Sequence, residues 1–553
     1  MAVPLDLQVR IRITHDRSPR LSSVRSTRVT ERPAFGASSL VAFGILISRI
    51  TGLLRESVIS HYFGVHTIAA DAFRASTRIP NMLNNLFGEG VLSAAFITIY
   101  SKLRAAEQDE EAEHLAEVVF GILSVVCAVL VVLGITLTPF LTAIIVPGFT
   151  GQTRALTIQL VRILFPGTGL LVLSAWCLGV LNSHRQFLLS YLAPVVMNLT
   201  MIIGLILLGQ NSVPGRLVID LAWAYLLGSV LQFLIQVPRV LQYLPNFRPA
   251  LELQSQYVRT VIRNFGPVFL SRGVVQISST VDQMIASLLP AGAVAALGYG
   301  QVIALLPVSL FSMSVSAAEL PALSSVTGTD EEVAVVLRQR LSSGLRRIAF
   351  FVIPSAVAFL LLGDVLTAAL YQSGKFTHAD AVEVWLALGG SSVGLLATCL
   401  GRLYSSAFYA LLDTRTPLRF AVIRIALTVS LGWLFALYVP RWLGFDPSWG
   451  IAGLTASAGI AGWVEFILLR RGLSEKIGEI SLPAAFTFKL WTVASVAALL
   501  GYSCKMLFGT AHPRLLAAFV VTLFGVVYFG GTTLLGIEES RRTVNTVLRR
   551  FRR

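Results

Sequence analysis

Long apolar runs alternate with short polar breaks along almost the whole chain. About 20 consecutive apolar residues suffice for a helix to cross a hydrocarbon core roughly 30 Å thick. The pattern predicts fourteen such spans: residues 38–63, 78–101, 118–147, 155–182, 187–209, 217–244, 263–290, 294–325, 343–372, 379–411, 417–439, 449–469, 482–508 and 513–537. The longest polar connections are the leader, 102–117, 245–262 and 326–342, and none could hold a soluble catalytic domain. The predicted fold class is therefore an all-α polytopic membrane protein.

The two halves carry a faint internal repeat. Ser48-Arg49 recurs as Ser271-Arg272, and Ser93-Ala94-Ala95 recurs as Ser316-Ala317-Ala318 at the same separation. Leu181-Asn182-Ser183 resembles Leu412-Asp413-Thr414, with an arginine following each. Three matches in one order predict two six-helix lobes around a central cavity, plus two C-terminal helices. The expected division is 1–36 as a basic leader, 37–245 as the first lobe, 246–262 as a linker, 263–472 as the second lobe, 480–537 as two additional helices and 538–553 as a basic tail. Within the linker region, 250–263 carries an apolar stripe that reads as an interfacial helix. An even number of helices per lobe makes the repeat parallel, and transporters of that build hold substrate between the lobes.

Composition sharpens the picture. Of 553 residues, 55% are hydrophobic and only 13% charged, with a mean hydropathy of +0.74. Soluble domains carry about 25% charged residues, so a soluble enzyme, a disordered chain and a nucleic-acid-binding module are all excluded. The net charge is +15. Lys and Arg concentrate on the amino-terminal side of the fourteen-span arrangement, which predicts cytoplasmic termini. The leader and tail would touch anionic headgroups at most. Cys127, Cys177, Cys399 and Cys504 lack metal-ligand spacing and read as packing residues. No HExxH, GxSxG or Walker A motif is present. The sequence therefore calls for no cofactor, and transport would draw on an ion gradient, membrane potential or substrate flux.

Charge at membrane depth is costly, about 2.5–3.5 kcal/mol on insertion scales, so the exceptions carry information. Arg49 and Arg55 share the first span, with Glu56 beside Arg55. Six residues turn a helix by about 600°, leaving the two arginines some 120° apart. They either line one broad polar wall that holds an anion or act as a local ion pair with snorkelling. A guanidinium suits phosphate because its planar fork binds two oxygens at once. Asp71 precedes the second span, which then presents Arg78, Pro80, Asn84, Asn85 and the stretch Gly88-Glu89-Gly90. The two asparagines read as cavity groups or as interhelical hydrogen-bonders. Arg272, Gln276 and Asp282 share one later span; Gln301 and Glu319 mark the next. Arg162, Arg402, Arg424, Glu465 and Lys489 read as paired or interfacial. Asp282 and Asp413 are candidates for a cation site, since carboxylate oxygens suit hard cations.

The run SRITGLLRESVISHYFGVHTIAADAFRASTRIPNMLNNLFGEGVLSAAFITIY (48–100) resembles the opening of the MurJ/MviN family. YQSGKFTHAD (371–380), AFYALLDTRTP (407–417) and LPALS (320–324) fit it as well. The resemblance covers about residues 36–540. It implies the fourteen-helix fold of the multidrug/oligosaccharidyl-lipid/polysaccharide exporters. It also implies flipping of lipid II, the undecaprenyl-diphosphate-linked peptidoglycan precursor, across the bacterial plasma membrane.

By residue, Arg49 and Arg55 match arginines the family needs in its first helix. Arg78 matches a basic position, Asp71 and Glu89 match acidic ones, and Asp282 and Asp413 match carboxylates of a sodium site. The chain departs from the family at Asn84, Asn85 and Val302, where arginines are common. Arg272 is the candidate replacement cation. The expected head-group set is thus Arg49, Arg55, Arg78, Asn84, Asn85 and Arg272, with Glu56, Asp71, Pro80 and Glu89 as motif or gating positions. Helices at about 482–537 would form an apolar groove for the polyprenyl tail. Expected partners are lipid II, membrane lipids and other cell-wall synthesis proteins; the expected coupling is to Na+ or membrane potential. Two rivals stand: a cation-coupled drug exporter on the same fold, and a non-transporting scaffold for wall-synthesis enzymes. The Arg-lined first span argues against the exporter, and a scaffold would have no reason to retain several charges at membrane depth.

Overall fold

The computed structural model describes residues 35–88, 92, 96–210, 212–252, 254–324, 329–411, 413–480, 482–509 and 512–551. Among these residues the chain forms helices and no strands. The first lobe contains α1 (Phe35–Phe63), α2 (Ile68–Phe87), α3 (Thr98–Ala105), α4 (Asp109–Thr136), α5 (Thr138–Ile145), α6 (Gly151–Ser183), α7 (Phe187–Leu208), α8 (Pro214–Leu234) and α9 (Val237–Leu241). The second contains α10 (Gln256–Ala286), α11 (Ala293–Pro307), α12 (Ser314–Ser324), α13 (Asp330–Tyr371), α14 (His378–Ala410), α15 (Arg415–Leu437), α16 (Val439–Trp442) and α17 (Gly450–Ile477). Helices α18 (Ala484–Phe508) and α19 (Pro513–Leu534) pack on α13, and α20 (Glu538–Phe551) follows.

Local chemistry sets many of these boundaries. Thr329 with Glu332, and Thr377 with Asp380, form reciprocal caps at the starts of α13 and α14, each satisfying backbone donors that a helix start leaves free. After Pro307, which cannot donate to the helical ladder, Val308–Met313 winds as a wider π-type turn before α12. Small residues let helices approach where no hydrophobic force separates protein from lipid. The α14–α17 crossing shows it: a Cβ on Gly394 would lie 2.2 Å from the Gly459 Cα.

Among the described residues, eleven helices are long and apolar enough to cross a membrane. The three other long helices at predicted spans, α1, α2 and α10, are the ones that carry Arg49, Arg55 and Glu56, then Asp71, Arg74 and Arg78, then Arg272 and Asp282. They meet at the seam between the lobes.

Two boundaries differ from the sequence reading. The second helix starts at Ile68, ten residues before the expected span, because Thr67 caps it by accepting from the Ala70 N–H (3.2 Å). The expected interfacial helix over 250–263 does not form a separate element. Residues from 256 are the opening turns of α10. Residues just before it dock on α4: the Arg248 N–H donates to Glu117 (2.6 Å) and Glu252 pairs with His114 (3.3 Å). Nearly all of the 1–36 leader, and Glu89, lie outside the described residues.

Candidate functional site

A cavity of about 360 Å³ opens at the seam. Its wall from the first lobe includes Arg55, Glu56, Arg74, Thr77, Arg78 and Asn81; from the second lobe come Gln283, Gly298, Gln301 and Val302. On α2, positions 74, 77, 78 and 81 recur at three and four residues, which is one helical face. Their side chains therefore converge without any loop to carry them.

Arg55 is fixed by α7. Its Nη1 donates to Asn198 Oδ1 (2.9 Å), and Asn198 Nδ2 donates to Thr51 Oγ1 (3.2 Å). Its Nη2 donates to Glu56 Oε1 (2.6 Å). The other Glu56 oxygen accepts from Arg74. Arg74 also lies over the Tyr299 ring of α11, with Cζ 4.1 Å from the centroid. Arg78 faces Asp282, which also feels Arg424. One Asp282 oxygen is buried without a hydrogen-bond partner among the described residues. Arg424 in turn pairs with Glu465 (3.3 Å).

One end of the seam is bolted shut. Asp71 of α2 accepts from the Gly292 N–H (2.7 Å) and the Ala295 N–H (2.9 Å), capping α11 from the opposite lobe. A carboxylate at a helix N-terminus meets free donors and the positive end of the dipole. Gly292 adopts φ +98, and a Cβ there would lie 2.9 Å from the His66 ring, so the turn needs glycine. His66 reaches Glu383 (2.8 Å) and Asp380 (3.5 Å) on α14. The Lys375 N–H donates to His61 O (2.8 Å), and the Gly148 N–H to Ser287 Oγ (3.2 Å). Toward the other end, α2 and α10 meet through Phe87 against Phe265 and Phe269, and Asn85 donates to Gln276 (3.2 Å).

The structure rearranges the expected head-group set. Arg55 and Arg78 line the cavity; Arg49 does not. Helix α1 packs on α7 through the face of Gly44, Thr51, Gly52 and Arg55, whose neighbours are Tyr191 and Asn198. The rotation of about 120° between the arginines turns Arg49 onto the exposed face with Ile45, Leu46, Ile50 and Leu54. Asn84 and Asn85 also lie off the cavity wall; Asn85 acts as an interlobe hydrogen-bonder. Arg272 lies on α10 with its side chain outside the described part. Pro80 is buried within α2.

Asp282 and Asp413 do not meet. Asp282 sits in the last turn of α10, at the bolted end, whereas Asp413 follows the far end of α14. Asp413 caps α15, accepting from the Thr416 N–H (3.1 Å) and Oγ1 (2.7 Å), and pairs with Lys476 (2.6 Å). These bonds hold its carboxyl well below the usual carboxylate range. No group of three or more His, Cys, Asp or Glu able to hold a metal ion occurs among the described residues. Arg74 was missed by the sequence reading, which began the span at 78. Its signal was present: Thr67 as a cap, Asp71 in the first turn, and a four-residue step from Arg74 to Arg78.

A helical membrane bundle with a charged cavity between its two halves, closed at one end, has the build of a membrane transporter. The comparisons with known proteins narrow the class. A family model described as "Lipid II flippase MurJ" matches residues 59–525. A lipid II flippase MurJ of Burkholderia cenocepacia is 31% identical over 523 residues, covering 91% of this chain and 98% of that protein. A probable lipid II flippase MurJ of Bdellovibrio bacteriovorus is 30% identical over 518 residues, covering 91% and 95%. In fold, the chain is similar to a lipid II flippase MurJ solved in an inward closed conformation, with TM-score 0.73, 23% identity and coverage of 90% and 98%. It is also similar to an inward-facing MATE family transporter of the MOP superfamily, with TM-score 0.61, 18% identity and coverage of 80% and 98%.

The chain belongs to the lipid II flippase MurJ family. It is a multi-pass membrane transporter, not an enzyme.

Proposed function

We propose that the protein carries lipid II from the inner to the outer leaflet of the bacterial plasma membrane by alternating access, with the diphosphate-bearing head in the seam cavity. One observation carries the residue-level reading: guanidinium groups stand in the wall of a hollow of about 360 Å³ inside an otherwise apolar bundle. A drug site would favour aromatic walls with a carboxylate, and a scaffold would have no need of buried arginines. In this reading both termini are cytoplasmic, as the Lys and Arg bias supports, and the bolted end faces outward. The head enters from the opposite side. Release then requires the Asp71 and His66 contacts to part.

In this reading the polyprenyl tail lies in an apolar hollow of its own. A second hollow of about 380 Å³, lined by Phe351, Phe359, Leu362, Val520, Phe524 and Tyr528 among others, lies between α13 and α19. Its apolar wall suits an isoprenoid chain. Coupling to sodium or to membrane potential is part of the proposal, and translocation in proteoliposomes with and without each measures it.

The central test is Arg55→Ala in cells depleted of their own flippase. Losing one charge-assisted, bidentate contact costs about 1.5–3 kcal/mol, so outer-leaflet lipid II should fall at least tenfold. Full rescue of growth with normal outer-leaflet lipid II would remove the cavity arginines from transport.

A further inference from the structure

Two guanidinium groups in the cavity wall share a single carboxylate. Arg55 takes one Glu56 oxygen and Arg74 takes the other. The Glu56 side chain is only 5% exposed, against 13% for Arg74 and 26% for Arg55. One anion between two cations leaves an uncompensated positive charge. Donors are left over too: the Nε–H groups of Arg55 and Arg74 are both buried without a partner among the described residues. A buried donor with nothing to bond is the exception in folded proteins, and each of these is open to an acceptor oxygen.

We propose that Arg74 is a second cargo-binding arginine, taking the anionic diphosphate together with Arg55, and that Glu56 is the internal anion that occupies the pair when cargo is away. The proposal rests on the reading of the cavity given above and extends it to a residue that reading did not need. Each guanidinium presents several donors in a plane and binds phosphoryl oxygens two at a time. Two such groups, one on α1 and one on α2, suit an anion with two phosphoryl centres. Glu56, adjacent to both, is placed to yield its partners to that anion.

Arg74 adds a link to the opposite lobe. It stacks on Tyr299, and Gly298 leaves it room: a Cβ there would lie 2.9 Å from the Arg74 Cδ. The side chain that receives the cargo's charge is thus the one that spans the seam.

The test uses the full-length protein in neutral-lipid nanodiscs, with farnesyl diphosphate as probe and farnesol as its uncharged control. Arg74→Ala should weaken farnesyl diphosphate binding about tenfold and leave farnesol binding unchanged, as Arg55→Ala does. Glu56→Gln should tighten diphosphate binding severalfold, because the internal competitor is gone; unchanged or weaker binding would overturn its stand-in role. The double variant Arg74→Ala/Glu56→Gln separates cargo binding from charge balance. If Arg74 only neutralises Glu56, the double variant binds as tightly as Glu56→Gln alone and the proposal fails; a drop of about tenfold relative to Glu56→Gln is the expected result. If Arg55→Ala loses binding while Arg74→Ala does not, this inference falls and the cavity reading stands. If neither variant changes binding, the cavity reading falls as well. Should Arg74→Ala not fold, judged by its melting temperature, Arg74→Gln carries the same comparison. Adding phosphatidylglycerol to the nanodisc distinguishes an ordinary phospholipid headgroup: displacement of the probe by it would assign the pair to membrane lipid and overturn the cargo role.

Discussion

Asp71 does its work through two hydrogen bonds to backbone donors of the other lobe. Asp71→Asn keeps the shape and removes the charge that makes those bonds strong. A loss of about 1–3 kcal/mol is expected, read as a lower melting temperature that lipid II fails to restore fully. His184 gives a pH signature. It follows α6, meets Tyr100 Oη at 3.0 Å and stacks on Tyr243 at 3.8 Å between centroids. Burial, and then the neighbouring Arg104 guanidinium, push its imidazole from 6.5 down to about 4. The unfolded chain therefore binds a proton in this interval that the folded chain refuses, so stability falls as pH drops from 6.5 toward 4. Thermal scans should show that decline in the wild type and a flatter profile in His184→Gln.

Among elements, the α14–α17 crossing is the tightest test of packing. Gly390 faces Thr455 and Ala452, and Gly394 faces Gly459, four residues further along α14. No side chain fits between backbones that close. Gly394→Leu should force the helices apart and cost about 3 kcal/mol or more, seen as loss of monodisperse protein in detergent. Gly525 on α19 is a contrast, since a Cβ there meets open space; Gly525→Ala should fold normally. The additional helices are tied down by charge as well as apolar contact. Lys505 on α18 pairs with Asp364 on α13, and Glu539 on α20 pairs with Arg346 on α13 (2.7 Å). These ties keep the wall of the apolar groove in register with the second lobe.

For the whole molecule, the proposed alternating access has the lobes separate where they are now joined. His61 and Lys375 are both exposed and are linked through their backbones at 2.8 Å. His61→Cys/Lys375→Cys treated with a short bifunctional thiol reagent should stop translocation, and cleaving the link should restore it. Selectivity is favourable, because all four native cysteines are buried. Continued translocation in the linked protein would show that this end need not open.

Hydrophobic periodicity by itself determined that the chain is a helical membrane bundle, since spans of that length have no other way to satisfy their backbone in lipid. It also marked the first span, the second and the one bearing Arg272 as too charged to face lipid. Those helices are among the ones that reach the seam. What the tertiary structure alone decided was which charged groups share a space. Arg49 and Arg55 look equivalent along the chain, yet the choice of α7 as neighbour turns one into the cavity and the other out of it. Asp282 and Asp413 look like a pair, yet helix direction places them at opposite ends of the lobe. Arg74 fell outside the expected span, which began at 78, and the Thr67 cap four residues before Asp71 placed it on the helix. Sequence records the cost of burying each charge; only packing assigns the partner that offsets it, because partners here are brought together from helices far apart in the chain.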